Sequence, residues 1–486
     1  MKIIWASFNP FTLPRLLSIL LLAWCTVAGA VSVDNRSVAG TGALVEFIQK
    51  PDDSFQWEIV HAREERGLQV FELSMTSQHW SPKILESNHP LWQHRLALYV
   101  PRGGQDISAI LHVNGGTRYA RDNSPGPEVT DELDFAKLAR ATGSVVVNLR
   151  DVPQQFLSLN GELPRKEDDL IARTWVAALD YPECPDCPLQ FPMVKAVVRA
   201  MDAVQQLLAS RNLTGAERFV ITGASKRGWA AWLTAAVDKR VQAIVPIVID
   251  VLNVQDSLDH SFDVNGGWIL PLHSYLAQGQ SVLPRLHTPA MGLLMSKVDP
   301  WSYRQNLTLP KFIITAAGDD FFAPDGSRTY WSGLQGHKWM RTFPNSRHYI
   351  TRETKQREAL TGAIARFVGY LTKGETPPEL LKQKLEKSAG KGLMLSVTLS
   401  QKPDSVQLWQ VTNPDRRDFR MTTLAPMGLE YVATPVEPAA NMQVNIEPPA
   451  KGWKAWFLAF TYKKDGEPDF VINTPVDVVS GADLSR

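Results

Sequence analysis

A chain of 486 residues is too long for one ordinary core, so two domains are expected. With 44% hydrophobic and 21% charged residues it has the make-up of a globular protein, which excludes a disordered or fibrous chain. The formal net charge is +1 and no basic run carries interleaved aromatics, so neither nucleic acid nor an anionic membrane is expected as partner.

At the N-terminus, Lys2 and Arg15 precede an apolar run over 16–27, and Ala28-Gly29-Ala30 follows it. This is the layout of a secretory leader over residues 1–30, which implies an exported protein, periplasmic or secreted. The run is short for a membrane span and nothing later is longer, so no span is expected in the mature chain. Loss of the leader removes Cys25 and leaves Cys184 and Cys187, which read as a small structural disulfide in an oxidising compartment. No His-Glu-x-x-His or comparable ligand spacing occurs, and no metal or other cofactor is expected. The 15 tryptophans read as core and interface residues rather than sugar platforms.

From about 55 to 100 polar and apolar residues alternate, and 68–75 and 95–100 read as antiparallel strands. A short apolar strand over 109–113 ends in Asn114-Gly115-Gly116-Thr117. It is followed by a helix over 135–141, a buried strand over 144–148, and helices over 168–178 and 193–209. A strand over 218–222 runs into Gly223-Ala224-Ser225-Lys226-Arg227-Gly228 and a helix over 229–237. The continuous apolar run over 241–249 suits a strand buried on both faces of a parallel sheet. Residues 252–305 show no clear periodicity and read as an irregular insert of the kind that forms binding loops or covers. Strands over 311–317 and 338–343 and a long helix over 353–371 close this part. The alternation implies a mostly parallel sheet with helices on both faces. Beyond residue 373 short strands separated by Pro, Asn and Gly, among them 406–409, 419–423, 442–446 and 456–462, have the spacing of a small all-β sandwich-like domain. The expected organisation is therefore a leader over 1–30, an α/β domain over 31–375 and a β domain over 385–486.

The chemistry is suggested by the turn at Ser225. A serine nucleophile needs a base, an acid behind the base, and donors for the oxyanion. Gly223, Ala224 and Gly228 supply the small neighbours that a tight strand-to-helix turn requires, although the second glycine stands three positions after the serine rather than two. Asp319 or Asp320, after the strand over 311–317, can supply the acid; Asp319 is preferred, and the other reads as a turn or cap residue. Asp250, directly after the strand that follows the serine, is a second candidate acid. His348, on the loop before the closing helix, fits the base, and the order Ser, Asp, His is the one an α/β-hydrolase uses. The backbone N–H of Lys226 is one expected oxyanion donor, and Gly116 and Thr117 supply the second. A cation at Lys226 or Arg227 would either stabilise the oxyanion or stand solvated at the helix start.

The segments Leu111-His112-Val113-Asn114-Gly115-Gly116, Leu170-Ile171-Ala172-Arg173-Thr174-Trp175, Gly223-Ala224-Ser225-Lys226-Arg227-Gly228-Trp229 and Gly318-Asp319-Asp320-Phe321-Phe322 carry a resemblance. So do Val406-Gln407-Leu408-Trp409 and Arg417-Asp418-Phe419-Arg420. In these the chain resembles the PhoPQ-activated pathogenicity-related family (PqaA type). The resemblance implies a bacterial, exported α/β-hydrolase with a small β domain, and it favours Asp319 over Asp320. It does not imply a substrate. By motif alone, the serine followed by a cation is also similar to glucuronoyl esterases.

Hydrolysis of an ester or amide of a small molecule or peptide through an acyl-enzyme on Ser225 is the expected function. A peptidase acting on cationic peptides would want an acidic subsite, for which Asp256, Asp259 and Asp263 are candidates. A binding protein that keeps the fold without the chemistry is the other class. Oligomeric state is not legible.

Overall fold

The computed structural model describes residues 42–103, 108–128, 130–277, 281–388 and 392–481. The leader expected over 1–30 lies outside them.

After the short helix α1 (Ala43–Gln49) come three antiparallel strands, β1 (Gln56–Glu65), β2 (Leu68–His79) and β3 (Leu91–Pro101). The α/β alternation follows with β4 (Ser108–Val113), α2 (Phe135–Thr142), β5 (Val145–Leu149), α3 (Glu167–Asp180) and α4 (Gln190–Ser210). It continues through β6 (Arg218–Ala224), α5 (Lys226–Val237) and β7 (Val241–Ile247). Two further helices, α6 (Val254–Asn265) and α7 (Pro289–Val298), precede β8 (Lys311–Ala316), β9 (Lys338–Phe343) and α8 (Thr354–Thr372). The nine strands form one sheet in the order β1-β2-β3-β5-β4-β6-β7-β8-β9, parallel from β5 to β9. Six parallel strands behind an antiparallel start, with β4 and β5 exchanged and helices on both faces, are an α/β-hydrolase sheet.

Alternate residues along the central strands feed two cores, because successive side chains point to opposite faces. Leu111, Val147 and Ile221 join α3, α4, α5 and α7 on one face. Ile110, Val146 and Val220 join α2 and α8 on the other.

Past α8, the strands β10 (Leu380–Lys387), β11 (Leu393–Leu399), β12 (Ser405–Asn413), β13 (Val432–Val436), β14 (Asn441–Ile446), β15 (Trp453–Tyr462), β16 (Phe470–Asn473) and β17 (Asp477–Ser480) are all antiparallel. They make a sheet β10-β11-β14 and a second sheet β13-β12-β15-β16, with β17 on β15. Their inner side chains, such as Val397, Leu408 and Phe460, share one buried cluster with α8 and the main sheet. Phe312 of β8 packs on Phe470 of β16 at 5.4 Å between ring centroids.

Two stretches differ from the sequence expectation. The strand expected over 419–423 is instead a short helix, α9 (Met421–Leu424). Asp418 accepts from the Arg420 amide (3.1 Å) and the Thr423 hydroxyl (2.8 Å), so local Asp turn chemistry overrides the strand pattern. The segment expected to be irregular carries α6 and α7. Buried Asp299 accepts from the amides of Val254 (2.8 Å) and Trp301 (2.9 Å) and so fixes the start of α6.

Candidate functional site

Strand register brings the sequence-predicted residues to one edge of the sheet. Val113 pairs with Gly223, and Ala224 pairs with Ile247, so the Asn114–Thr117 loop, Ser225 and Asp250 leave the C-terminal ends of neighbouring parallel strands. Open α/β sheets bind their ligands at this edge.

Ser225 stands between β6 and α5 with φ 56° and ψ −129°, a strained conformation for a residue with a side chain. Its amide donates to Ile247 O (2.8 Å) and its carbonyl accepts from Trp229 N (3.0 Å), which fixes the turn from both sides. The two glycines make the turn sterically possible. A Cβ on Gly223 would lie 2.8 Å from the Arg227 carbonyl carbon. One on Gly228 would lie 2.7 Å from Gly223 O and 2.8 Å from Ile249 Cγ2. The glycine three positions after the serine thus faces the glycine two positions before it, and the displaced spacing still allows close helix–strand approach. The side chain of Ser225 borders a pocket walled by α3, α5, α6 and the Phe321-Phe322 loop.

Two residues with opposite surroundings follow β8. Buried Asp319 meets His348 Nδ1 through both oxygens (3.0 and 2.9 Å) and accepts from the amides of Phe321 (2.7 Å) and Phe322 (3.3 Å). Asp320 turns away, to Arg347 (3.0 Å) and the Thr422 hydroxyl (3.3 Å). The loops bearing Asp319 and His348 are tied together by Gly318 N to Ser346 O (3.1 Å) and Ala317 N to Phe343 O (2.9 Å). The chain beyond α8 braces them. Met421 N donates to Gly318 O (3.1 Å), Tyr431 OH donates to Ala317 O (3.2 Å), and Tyr431 exchanges two bonds with the Asn345 side chain. Phe321, against whose ring His348 packs at 4.4 Å between centroids, also lines the Ser225 pocket. Ser225 Oγ makes no hydrogen bond among the described residues, to His348 or to any other group.

The loop of Gly116 and Thr117 is held from the segment after β5. Asp151 N donates to Gly115 O (2.9 Å), Val152 N to Asn114 O (3.2 Å), and Gln155 Nε2 to Gly116 O (2.7 Å). Gly116 has φ 146°, which favours glycine. Thr117 is half-buried, with its carbonyl against Gly126.

Lys226 and Arg227 are neither solvated nor unpaired. Both are buried, and both converge on Glu167 at the start of α3. Lys226 Nζ reaches Glu167 Oε2 (2.8 Å) and Asp168 Oδ2 (3.3 Å); Arg227 Nη2 donates to Glu167 Oε1 (2.6 Å), and its Nε donates to Val152 O (2.7 Å). Glu167 also accepts from Gln155 Nε2 (2.7 Å), while its own amide donates to Gln155 Oε1 (2.9 Å). The Arg227 guanidinium lies so close over Gly115 that a Cβ there would be 2.8 Å from Nη2. Burial pushes the Glu167 carboxyl up, but the Arg227 and Lys226 charges outweigh it and hold it well below the usual carboxylate range. Sequence reading missed Glu167 and Gln155. The only hint was two cations at the serine turn with no acidic residue near them in the chain.

Asp250 lies in the wall of the Ser225 pocket, and among the described residues His348 bonds Asp319 and not Asp250. Burial pushes its carboxyl up to about 7, with the Asp319 and Asp325 charges adding to the rise and the hydrogen bond from Tyr330 OH opposing it. Cys184 and Cys187 are joined by a disulfide. Among the described residues no group of three or more His, Cys, Asp or Glu is arranged to hold a metal, and no helix is long and apolar enough to cross a membrane.

Comparison with known proteins adds relatives. The chain is 31% identical over 434 residues to autocrine proliferation repressor protein A of Dictyostelium discoideum, spanning 86% of this chain and 85% of that protein. Among solved structures it is similar to an acetyl xylan esterase from Paenibacillus sp. R4 (TM-score 0.43, 13% identity, 67% of this chain and 91% of that one). A glucuronoyl esterase from Solibacter usitatus is similar at TM-score 0.35 (13% identity, 68% and 78% covered). The model of one family, the PhoPQ-activated pathogenicity-related proteins, matches residues 44–420. The chain belongs to that family.

Proposed function

We propose that this protein is an exported serine hydrolase that cleaves an ester or amide bond through an acyl-enzyme on Ser225. The observation that carries the reading is the His348–Asp319 pair, bonded at 2.9 Å on the loops after β8 and β9, with Phe321 against the His348 ring and also in the wall of the pocket that Ser225, held at φ 56°, borders. Asp319 occupies Nδ1, which leaves Nε2 to take the Ser225 proton as the hydroxyl oxygen attacks the carbonyl carbon. The N–H groups of Lys226 and of Gly116 or Thr117 receive the oxyanion. Protonated His348 then gives the proton to the leaving alcohol or amine, and the acyl group stays on Ser225. Water, deprotonated by His348, releases the acid and restores the serine. Hydrogen bonds of this kind are often long before substrate binds, which suits the unbonded Ser225 hydroxyl. Arg227 and Asp250 act at the substrate side of the site, Arg227 by holding the Gly115–Gly116 loop and Asp250 in the pocket wall. The chain beyond about residue 385 acts as a module that braces the Asp319 and His348 loops. Export is supported by the leader pattern and by the disulfide, which suits an oxidising compartment.

A second reading, a binding protein on a hydrolase fold, is favoured by the unbonded Ser225 hydroxyl and by a relative named for repressing proliferation. Acyl-enzyme trapping separates the two. After brief exposure to p-nitrophenyl acetate and acid quench, the peptide containing Ser225 should carry one acetyl group. Folded protein with no acylated serine, or with the acetyl group elsewhere, would decide against the hydrolase.

A further inference from the structure

We propose that the pocket beside Ser225 takes an uncharged, apolar portion of the substrate, an acyl chain or an apolar leaving group, an inference that rests on the serine-hydrolase reading. Its wall is built from Trp175, Trp229, Val254, Leu258, Leu272 and Phe322, contributed by α3, α5, the α6–α7 region and the loop after β8. The indole N–H groups are engaged behind the wall, Trp175 with Gln190 Oε1 (3.0 Å) and Trp229 with Val298 O (2.6 Å). Both rings therefore present carbon to the pocket rather than donors for a sugar hydroxyl.

The ionisable groups in the wall are already matched. Asp168 meets Lys226 (3.3 Å) and the Tyr275 hydroxyl (3.2 Å), and His260 meets Asp325 (3.1 Å). Burial pushes the Asp250 carboxyl up to about 7, and its oxygen is already engaged by the Tyr330 hydroxyl. A charged group entering here would lose its hydration and find no partner, which is costly. The acidic residues of α6 offer no alternative. Val254, Ser257, Leu258 and Ser261, at helical spacing, face the pocket, whereas Asp256, Asp259 and Asp263 are absent from its wall. Asp256 accepts from Asn253 (2.6 Å), Asp259 meets His287 (3.0 Å), and Asp263 is exposed. These three candidates for an acidic subsite therefore do not line this pocket.

Two ester series test the inference by kcat/KM. One lengthens the acyl chain from acetyl to octanoyl on a p-nitrophenyl leaving group; the other lengthens the alcohol from methyl to hexyl on an acetyl group. A fully seated methylene is worth about fourfold. One series should rise by about that factor per carbon until the pocket is full, and whichever series rises identifies the part of the substrate that enters. Leu258→Trp should move the optimum to shorter chains. Val254→Phe, on the same helix face, serves if Leu258→Trp does not fold. Flat profiles in both series, or a p-nitrophenyl hemisuccinate or lysine ester turned over tenfold faster than the apolar esters, would overturn the inference. Mass spectrometry of the Ser225 peptide in the same samples keeps the two failures apart. Acylated Ser225 with flat profiles removes the apolar pocket alone, whereas folded protein without acylation removes the hydrolase reading and this inference with it.

Discussion

Glu167→Ala perturbs the group on which two buried cations converge. Glu167 takes hydrogen bonds from Arg227 (2.6 Å) and Gln155 (2.7 Å) and an ion pair from Lys226 (2.8 Å). Its removal leaves Lys226 with Asp168 and Arg227 with only the Val152 carbonyl. Breaking a fully buried pair costs about 3–5 kcal/mol. Glu167 is itself a third exposed, so water enters the vacated space, and the lower end, about 3 kcal/mol, is expected. Glu167→Gln keeps an acceptor and loses the charge, and about half that loss follows. Urea unfolding followed by tryptophan fluorescence reads the effect as a lower midpoint at unchanged slope. Glu162→Gln is the comparison, because its partners Arg165 and Arg173 form a more exposed cluster worth no more than about 1 kcal/mol. Glu167→Ala also loosens Gln155 and with it the Gly116 carbonyl that Gln155 holds, so kcat should fall more than KM rises. A Glu167→Ala protein within about 1 kcal/mol of wild type would refute the reasoning.

Three other predictions follow from the geometry. The folded-state pKa of Asp250 is raised from 3.8 to about 7, so the native state binds the extra proton between these values. Stability then declines as pH rises from about 4 to about 7, by roughly 4 kcal/mol, and Asp250→Asn should flatten that decline in pH-dependent melts. Asp319→Asn should lower kcat by about 10³–10⁴-fold, whereas Asp320→Asn, whose partners are Arg347 and Thr422, should change it by less than about tenfold, read with one ester. Gly228→Ala places a Cβ 2.7 Å from Gly223 O, and unfolding should show a loss of about 1–3 kcal/mol.

The parts of this protein that were legible in sequence are those set by local chemistry. The small residues around Ser225 can be read because the turn has no room for larger ones. The parallel strands declare themselves by apolar runs such as 241–247, buried on both faces. Chain order suggested the histidine and its acid, and in the structure Asp319 rather than Asp320 faces His348. What sequence did not reveal depends on contacts distant along the chain. Glu167 and Arg227 are 60 residues apart, and Tyr330 and Asp250 are 80 apart, so no local pattern marks either pair. Helix α6 escaped notice because Val254 and Ser261 are the only residues it fully buries. Its narrow apolar face, Val254 and Leu258, is shared between the edge of the core and the pocket. The 419–423 segment went wrong because apolar residues around an Asp turn mimic a strand.

The central claim is tested most directly by labelling with a fluorophosphonate probe, comparing wild type, Ser225→Ala and His348→Ala as folded proteins. The account predicts labelling in wild type that is abolished in Ser225→Ala and slowed at least a hundredfold in His348→Ala. Labelling that survives in Ser225→Ala, or none in wild type, would contradict it.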